Sequence, residues 1–112
     1  MRPLARILTG TLFVGLLFGI GALSAALTNP PNVNIDNFTF APGELTVAPG
    51  TEVTWTNRDD IPHTVTDAAE QKAFKSAPLD TGNTFSYVFA KTGTYHYFCS
   101  LHPRMQGTVV VK

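Results

Sequence analysis

The chain has 112 residues and carries 8 Lys and Arg against 8 Asp and Glu, a formal charge of zero at pH 7 with His neutral. That length allows one domain at most, and without a clustered basic face the balance excludes a nucleic-acid partner. Cys99 is the single cysteine, so no disulfide forms within the chain.

Residues 1–27 read as a leader. Arg2 and Arg6 are its only charges, and Ser24-Ala25-Ala26 offers small side chains for a cleavage site, so residues 1–26 fit a signal peptide cut after Ala26. The uncharged run 7–27 is also close to the ~20 residues that span a bilayer, and an uncut N-terminal anchor, a membrane tether, stays open. Either way the folded part is exported, to the periplasm or the outer face of the cytoplasmic membrane. Residues 27–112 then form the domain, 86 residues with six positive and eight negative side chains. So small a domain has a modest core, and domains of this size often add a metal or disulfides to reach stability. In an oxidising compartment a lone cysteine is a buried spectator, a partner for another chain or a metal ligand.

Residues 28–31 (Thr-Asn-Pro-Pro) make a short spacer, after which strands begin. Val33 and Ile35 alternate, and Phe38 and Phe40 alternate in the opposite phase, which predicts a bend or bulge near Asp36-Asn37. Ala41-Pro42-Gly43 is a turn, Leu45 and Val47 mark a second strand, Ala48-Pro49-Gly50 turns again, and Val53 with Trp55 mark a third strand. Asp59 and Asp60 read as a solvated turn in preference to the alternative, that they shade the electrostatics near the His63 loop. Between Asp67 and Pro78 alternation fails, with one helical turn expected at Ala68-Ala69-Glu70. Phe85, Tyr87 and Phe89 restore the period, Lys91-Thr92-Gly93 turns the chain, and Tyr95, Tyr97 and Cys99 share one face. The last strand runs from about residue 107 to 112. Seven to eight short strands with Pro-Gly and Thr-Gly turns predict an all-β fold, an antiparallel Greek-key β-sandwich with Val53, Trp55, Phe85, Tyr87, Tyr95 and Tyr97 facing inward.

The chemistry concentrates in Tyr95-His96-Tyr97-Phe98-Cys99-Ser100-Leu101-His102-Pro103-Arg104-Met105. A thiolate, an imidazole and a thioether stand at positions n, n+3 and n+6. One Cys and two His with a long, weak Met contact are the ligands of a blue-copper electron-transfer site. The missing histidine is best supplied by His63, in Ile61-Pro62-His63-Thr64-Val65, which completes the metal set His63, Cys99, His102 and Met105. Taken singly, Cys99 suits a buried hydrophobe, His102 a loop and Met105 core filler; their joint spacing favours copper. His96 alternates to the opposite side from Cys99 and should point away from the metal.

The pattern resembles the cupredoxins, the blue type 1 copper proteins. Cys-x-x-His-x-x-Met is similar to the short ligand loop of the amicyanin-like branch, and plastocyanin-like loops put more residues before the Met. The likeness extends to Trp55, Asn57, Pro62-His63, Gly93-Thr94-Tyr95 and residues 107–111. It implies a cupredoxin-like sandwich, one copper ion in a type 1 site, and a monomeric electron carrier that is not an enzyme. It also implies coordination through Nδ1, with His63 deeper and His102 near the surface, where redox partner proteins dock on an apolar patch. Leu101, Pro103 and Pro42 or Pro62 would supply that patch, and the Thr64 N–H is a donor to the Cys99 sulfur. Amicyanins often have Pro where this chain has Leu101 and an apolar aromatic where it has Arg104. Leu101 therefore restores an N–H that could add a second bond to the sulfur, and Arg104 puts a cation beside the patch. Against electron transfer stand a periplasmic copper-binding carrier, a zinc site, which His and Cys also suit, a metal-free adhesion module and a Cys99–His63 hydrolase. A carrier would want exposed Met clusters, and Met1 and Met105 are the only methionines.

Overall fold

Alternation of apolar and polar side chains is realised as eight strands. The computed structural model describes residues 30–112, so the leader at 1–26 and the uncharged run at 7–27 lie outside the described residues. The strands are β1 (Asn32–Asp36), β2 (Thr39–Ala41), β3 (Glu44–Val47), β4 (Thr51–Asn57), β5 (Thr66–Asp67), β6 (Thr84–Phe89), β7 (Gly93–Cys99) and β8 (His102–Val111). They form two four-stranded sheets, in the orders β2-β1-β4-β6 and β3-β8-β7-β5. This is the expected β-sandwich, with one correction: its sheets are mixed, because β1 runs parallel to β4 and β3 parallel to β8. Parallel neighbours need a crossover connection, and the chain provides it by leaving the first sheet after β2 and entering the second at β3. Side-chain alternation reports which face a residue takes and carries no strand direction.

The phase change near Asp36 is a hairpin turn rather than a bulge. Asp36 pairs with Thr39 across a two-residue connection, and both residues in it are left-handed, with φ 52° at Asn37 and 57° at Phe38. Two positive φ values match the turn whose twist suits a two-residue hairpin. Asparagine tolerates that conformation; for a bulky side chain it costs about 1–2 kcal/mol. Phe38 is nonetheless half exposed, at 50%, so core burial does not account for its placement.

Trp55 is fully buried at the centre of the sandwich, with Phe74, Phe85, Phe89 and Tyr97 rings at centroid distances of 5.4–6.2 Å. Val53 and Tyr97 are buried as expected, while Phe85, Tyr87 and Tyr95 pack against the core only partly covered. Phe85 and Tyr87 lie on β6, an edge strand with a neighbour on one side only. No helix forms at Ala68-Ala69-Glu70, which are irregular backbone. The segment is held instead by Asp67, whose carboxylate accepts the N–H of Ala69 and of Ala73, and by the Phe74 ring stacked on Trp55.

The last strand begins five residues earlier than alternation suggests, because β8 pairs with β7 back to Cys99 opposite His102, with a register shift at Phe98/Cys99. Ser100 and Leu101 alone make the turn between them. Farther along the pair, Tyr97 faces Gly107. A Cβ on Gly107 would overlap the Tyr97 ring and hydroxyl, and that ring has no retreat, being 1% exposed and edge-on to Phe40 at 4.7 Å and to Trp55 at 5.4 Å. Burial pushes the Tyr97 phenol up to about 12, so it stays neutral in the core. Gly107→Ala should lower the unfolding free energy by about 1–3 kcal/mol, the scale of core overpacking. Urea unfolding checks it, and a wild-type midpoint would show that the ring can move.

Candidate metal centre

The inner half of the site is built by the loop after β4. Asn57 ends that strand fully buried, and its side chain ties the loop together. Its Nδ2 donates to the carbonyls of Ile61 at 2.9 Å and Leu79 at 2.8 Å, while its Oδ1 accepts the N–H of Asp59 at 2.9 Å. His63 follows, with its backbone bonded to Leu79 in both directions and its ring fully buried. Ring atom Nε2 donates to Asp59 Oδ2 at 2.7 Å. A carboxylate accepts only, so it assigns the proton to Nε2 and leaves the Nδ1 lone pair free. Nδ1 points to Cys99 Sγ, 3.7 Å away.

The outer half comes from the β7–β8 hairpin. Cys99 closes β7 and is fully buried. Its sulfur accepts the Thr64 N–H at 3.3 Å, as expected from sequence; among the described residues the second donor expected at Leu101 makes no such bond. Thr64 also ties the two halves through its hydroxyl, which accepts the Ser100 N–H at 2.7 Å and lies 2.8 Å from Ser100 Oγ. His102 is partly exposed, with Nδ1 3.7 Å from the same sulfur. Met105 is buried, only 6% exposed, and with Phe38, His102, Pro103 and Arg104 lines a surface cavity of about 340 Å³. His96 lies on the exposed face with Nδ1 3.2 Å from Thr108 Oγ1, outside the group, as alternation requires.

Asp59 departs from the solvated turn expected of it. It is 9% exposed, whereas Asp60 is open to solvent. Besides His63 it accepts the N–H of Asn37 at 2.6 Å and of Phe38 at 2.9 Å. Burial pushes its carboxyl up, but the Phe38 and Asn37 N–H groups and the His63 ring together hold it below its ordinary 3.8. Phe38 was also missed as a site residue: its ring meets His63 at 5.5 Å and His102 at 5.1 Å, edge to face in both cases. Only its out-of-phase position beside Asn37 marked it in the sequence.

His63, Cys99 and His102 offer donor atoms that all lie within 4.8 Å of one another. First-row divalent ions sit about 2.0 Å from imidazole nitrogen and about 2.3 Å from thiolate sulfur. At those lengths each 3.7 Å S···N edge subtends an angle of roughly 115–120° at a shared ion. Two imidazoles and one thiolate are a donor set that suits copper, with a thioether as the weak fourth contact.

Comparison with known proteins agrees. The sequence model of the family described as "Copper binding proteins, plastocyanin/azurin family" matches residues 30–112. Amicyanin-alpha of Methylorubrum extorquens is 36% identical over 98 residues, 82% of each chain. Amicyanin of Paracoccus denitrificans is 37% identical over 83 residues, 71% of this chain and 63% of that one. A purple cupredoxin from Nitrosopumilus maritimus superposes with TM-score 0.70 at 35% identity, over 73% of this chain and 99% of that one. The chain therefore belongs to the plastocyanin/azurin family of copper-binding proteins, and copper is its cofactor.

Proposed function

We propose that this chain is a blue-copper electron carrier, moving single electrons between redox proteins outside the cytoplasm, on one copper ion held by His63, Cys99, His102 and, more weakly, Met105. The observation that carries the reading is the convergence of three soft donors within 4.8 Å from segments 36 residues apart. When bound, copper supplies a one-electron couple, Cu(I)/Cu(II). The protein's part is to keep the donors where they are in both oxidation states. Asp59 and the Leu79 bridge hold His63, the Thr64 N–H holds the sulfur, and the β7–β8 pairing holds the turn that carries His102. A donor set fixed by its scaffold rearranges little on electron transfer, which favours a fast outer-sphere step. Hydrogen bonding to the sulfur also tunes the potential, by stabilising the electron-rich thiolate.

Exposure supports His102 as the port. His63 and Cys99 are fully buried and His102 reaches the surface, beside Leu101 at 49% and Phe38 at 50% exposure. An apolar patch of this kind, with Arg104 at its rim, suits a redox partner that offers apolar contacts and a nearby carboxylate. The same burial argues against a copper carrier, which needs ligands an acceptor can reach. Export rests on the leader: Arg2 and Arg6, the uncharged run 7–27 and the small residues before Leu27.

Adding Cu(II) to the copper-free chain should give an intense visible thiolate-to-copper band and narrow copper hyperfine splitting in EPR. Cys99→Ser should lose both, and a pale, tetragonal copper spectrum from the wild type would defeat the electron-carrier reading. Asp59→Ala frees the His63 ring and should weaken copper binding about 10–100-fold, read by competition with a chelator. In the copper-free protein the same substitution has a pH signature. The lowered Asp59 carboxyl contributes stability that is present above the unfolded value near 3.8 and is lost as pH falls through the lower folded one. The stability gap between wild type and Asp59→Ala in urea should therefore close below that pH. Mass spectrometry of the exported protein should find Leu27 at the N-terminus if the leader is cut; an intact Met1 would make residues 7–27 the membrane anchor.

A further inference from the structure

The two histidines of the centre are oriented by different means. His63 has a carboxylate on Nε2, the usual arrangement in which the outer nitrogen of a metal-binding imidazole is held by a hydrogen bond. His102 has no such partner: among the described residues, nothing accepts a hydrogen bond from its Nε2. It also stands immediately after a two-residue turn and is only partly buried. Two rings meet it edge to face: that of its fellow ligand His63 at 5.0 Å and, outside the donor set, that of Phe38 at 5.1 Å and 89°, the same phenyl ring lying 5.5 Å from His63 at 85°.

Phe38 reaches this position against its own backbone preference. With Asn37 at φ 52° and Phe38 at φ 57°, the relaxed sequence for the turn would be Asn-Gly. Left-handed strain on a bulky residue persists where the surroundings enforce it, and such residues cluster at functional sites. Here Asp59 enforces it, with Oδ1 on the Asn37 N–H and Oδ2 on the Phe38 N–H and the His63 ring. The carboxylate that orients the inner histidine thus also anchors the turn that carries the phenyl ring.

We propose that Phe38 is a positioning residue for the exposed ligand: its ring holds the His102 imidazole in the orientation that turns Nδ1 toward Cys99 Sγ. The inner ligand is fixed by a hydrogen bond and the outer one by an aromatic wall. This rests on the copper-site reading only in taking His63 and His102 as ligands.

The test compares wild type, Phe38→Gly and Phe38→Tyr as full-length chains. Glycine accepts φ near 57° without strain, so copper-free Phe38→Gly should be at least as stable to urea as wild type, whereas its copper should be lost to a chelator about tenfold faster. In the zinc-loaded protein, ring nitrogen signals of His102 should broaden or double in Phe38→Gly, while those of His63, still held by Asp59, should not change. Phe38→Tyr keeps the ring and should behave as wild type in every readout. Wild-type copper loss and His102 signals in Phe38→Gly would overturn the proposal, as would equal loosening of His63 and His102, which would make Phe38 a general support of the hairpin. A wild-type chain that gives no thiolate-to-copper band would instead remove the copper-site reading and this inference with it.

Discussion

The Asp59 carboxylate is the junction on which the site depends. Its two oxygens take three donors, the N–H groups of Asn37 and Phe38 and the Nε2–H of His63. These donors belong to the β1–β2 turn and the loop after β4, which the parallel β1–β4 pairing, with Ile35 opposite Asn57, already brings side by side. A hydrogen bond to a charged acceptor is stronger than one between neutral groups, so this junction is held more firmly than an ordinary turn. Its chemical effect is to settle the His63 tautomer. With the proton on Nε2, Nδ1 faces the sulfur as an acceptor able to bind a metal.

Around that junction the sandwich supplies stiffness. Trp55 is surrounded by four aromatic rings, from its neighbour strand β6, from β7 in the facing sheet and from the irregular segment before β6, and Tyr97 fills the space left by Gly107. Edge-to-face and offset ring pairs add about 0.5–1.5 kcal/mol each beyond their buried area, and packed interiors resist small displacements. Cys99 lies two residues beyond Tyr97 on the same face of the same strand. The sulfur therefore inherits the rigidity of the core, which an electron carrier requires: donors that stay in place when the charge on the metal changes.

Burial falls off toward solvent in a definite order. Cys99 and His63 are fully buried, Met105 nearly so, His102 partly, and Leu101 and Phe38 about half. On the proposed function, electrons would leave through the last of these layers, which is apolar apart from Arg104. Burial of the sulfur keeps water from it, while the edge of His102 reaches solvent. The exposed edge comes from the ligand turn of Ser100 and Leu101, only two residues long, and the burial of the sulfur from the place of Cys99 on β7 against the core.

Much of this was legible in the sequence, because the relevant signals are local. Period-two alternation identified most of the strands, Cys99, His102 and Met105 announced their chemistry by spacing within seven residues, and His96 was set aside by the same alternation. Strand direction was not legible, since a side chain alternates in the same way in parallel and antiparallel pairs; β1–β4 and β3–β8 were decided by where the chain changes sheets. Nor was the role of Asp59, which looks like its exposed neighbour Asp60 until the hairpin at Asn37 is brought against it from 22 residues away. Phe38 belongs to the same class. Sequence by itself determined which side chains this protein offers as candidate donors and which faces of their strands they take. Tertiary structure alone decided which groups hold those donors, because hydrogen bonds and ring contacts between distant segments leave no periodicity behind.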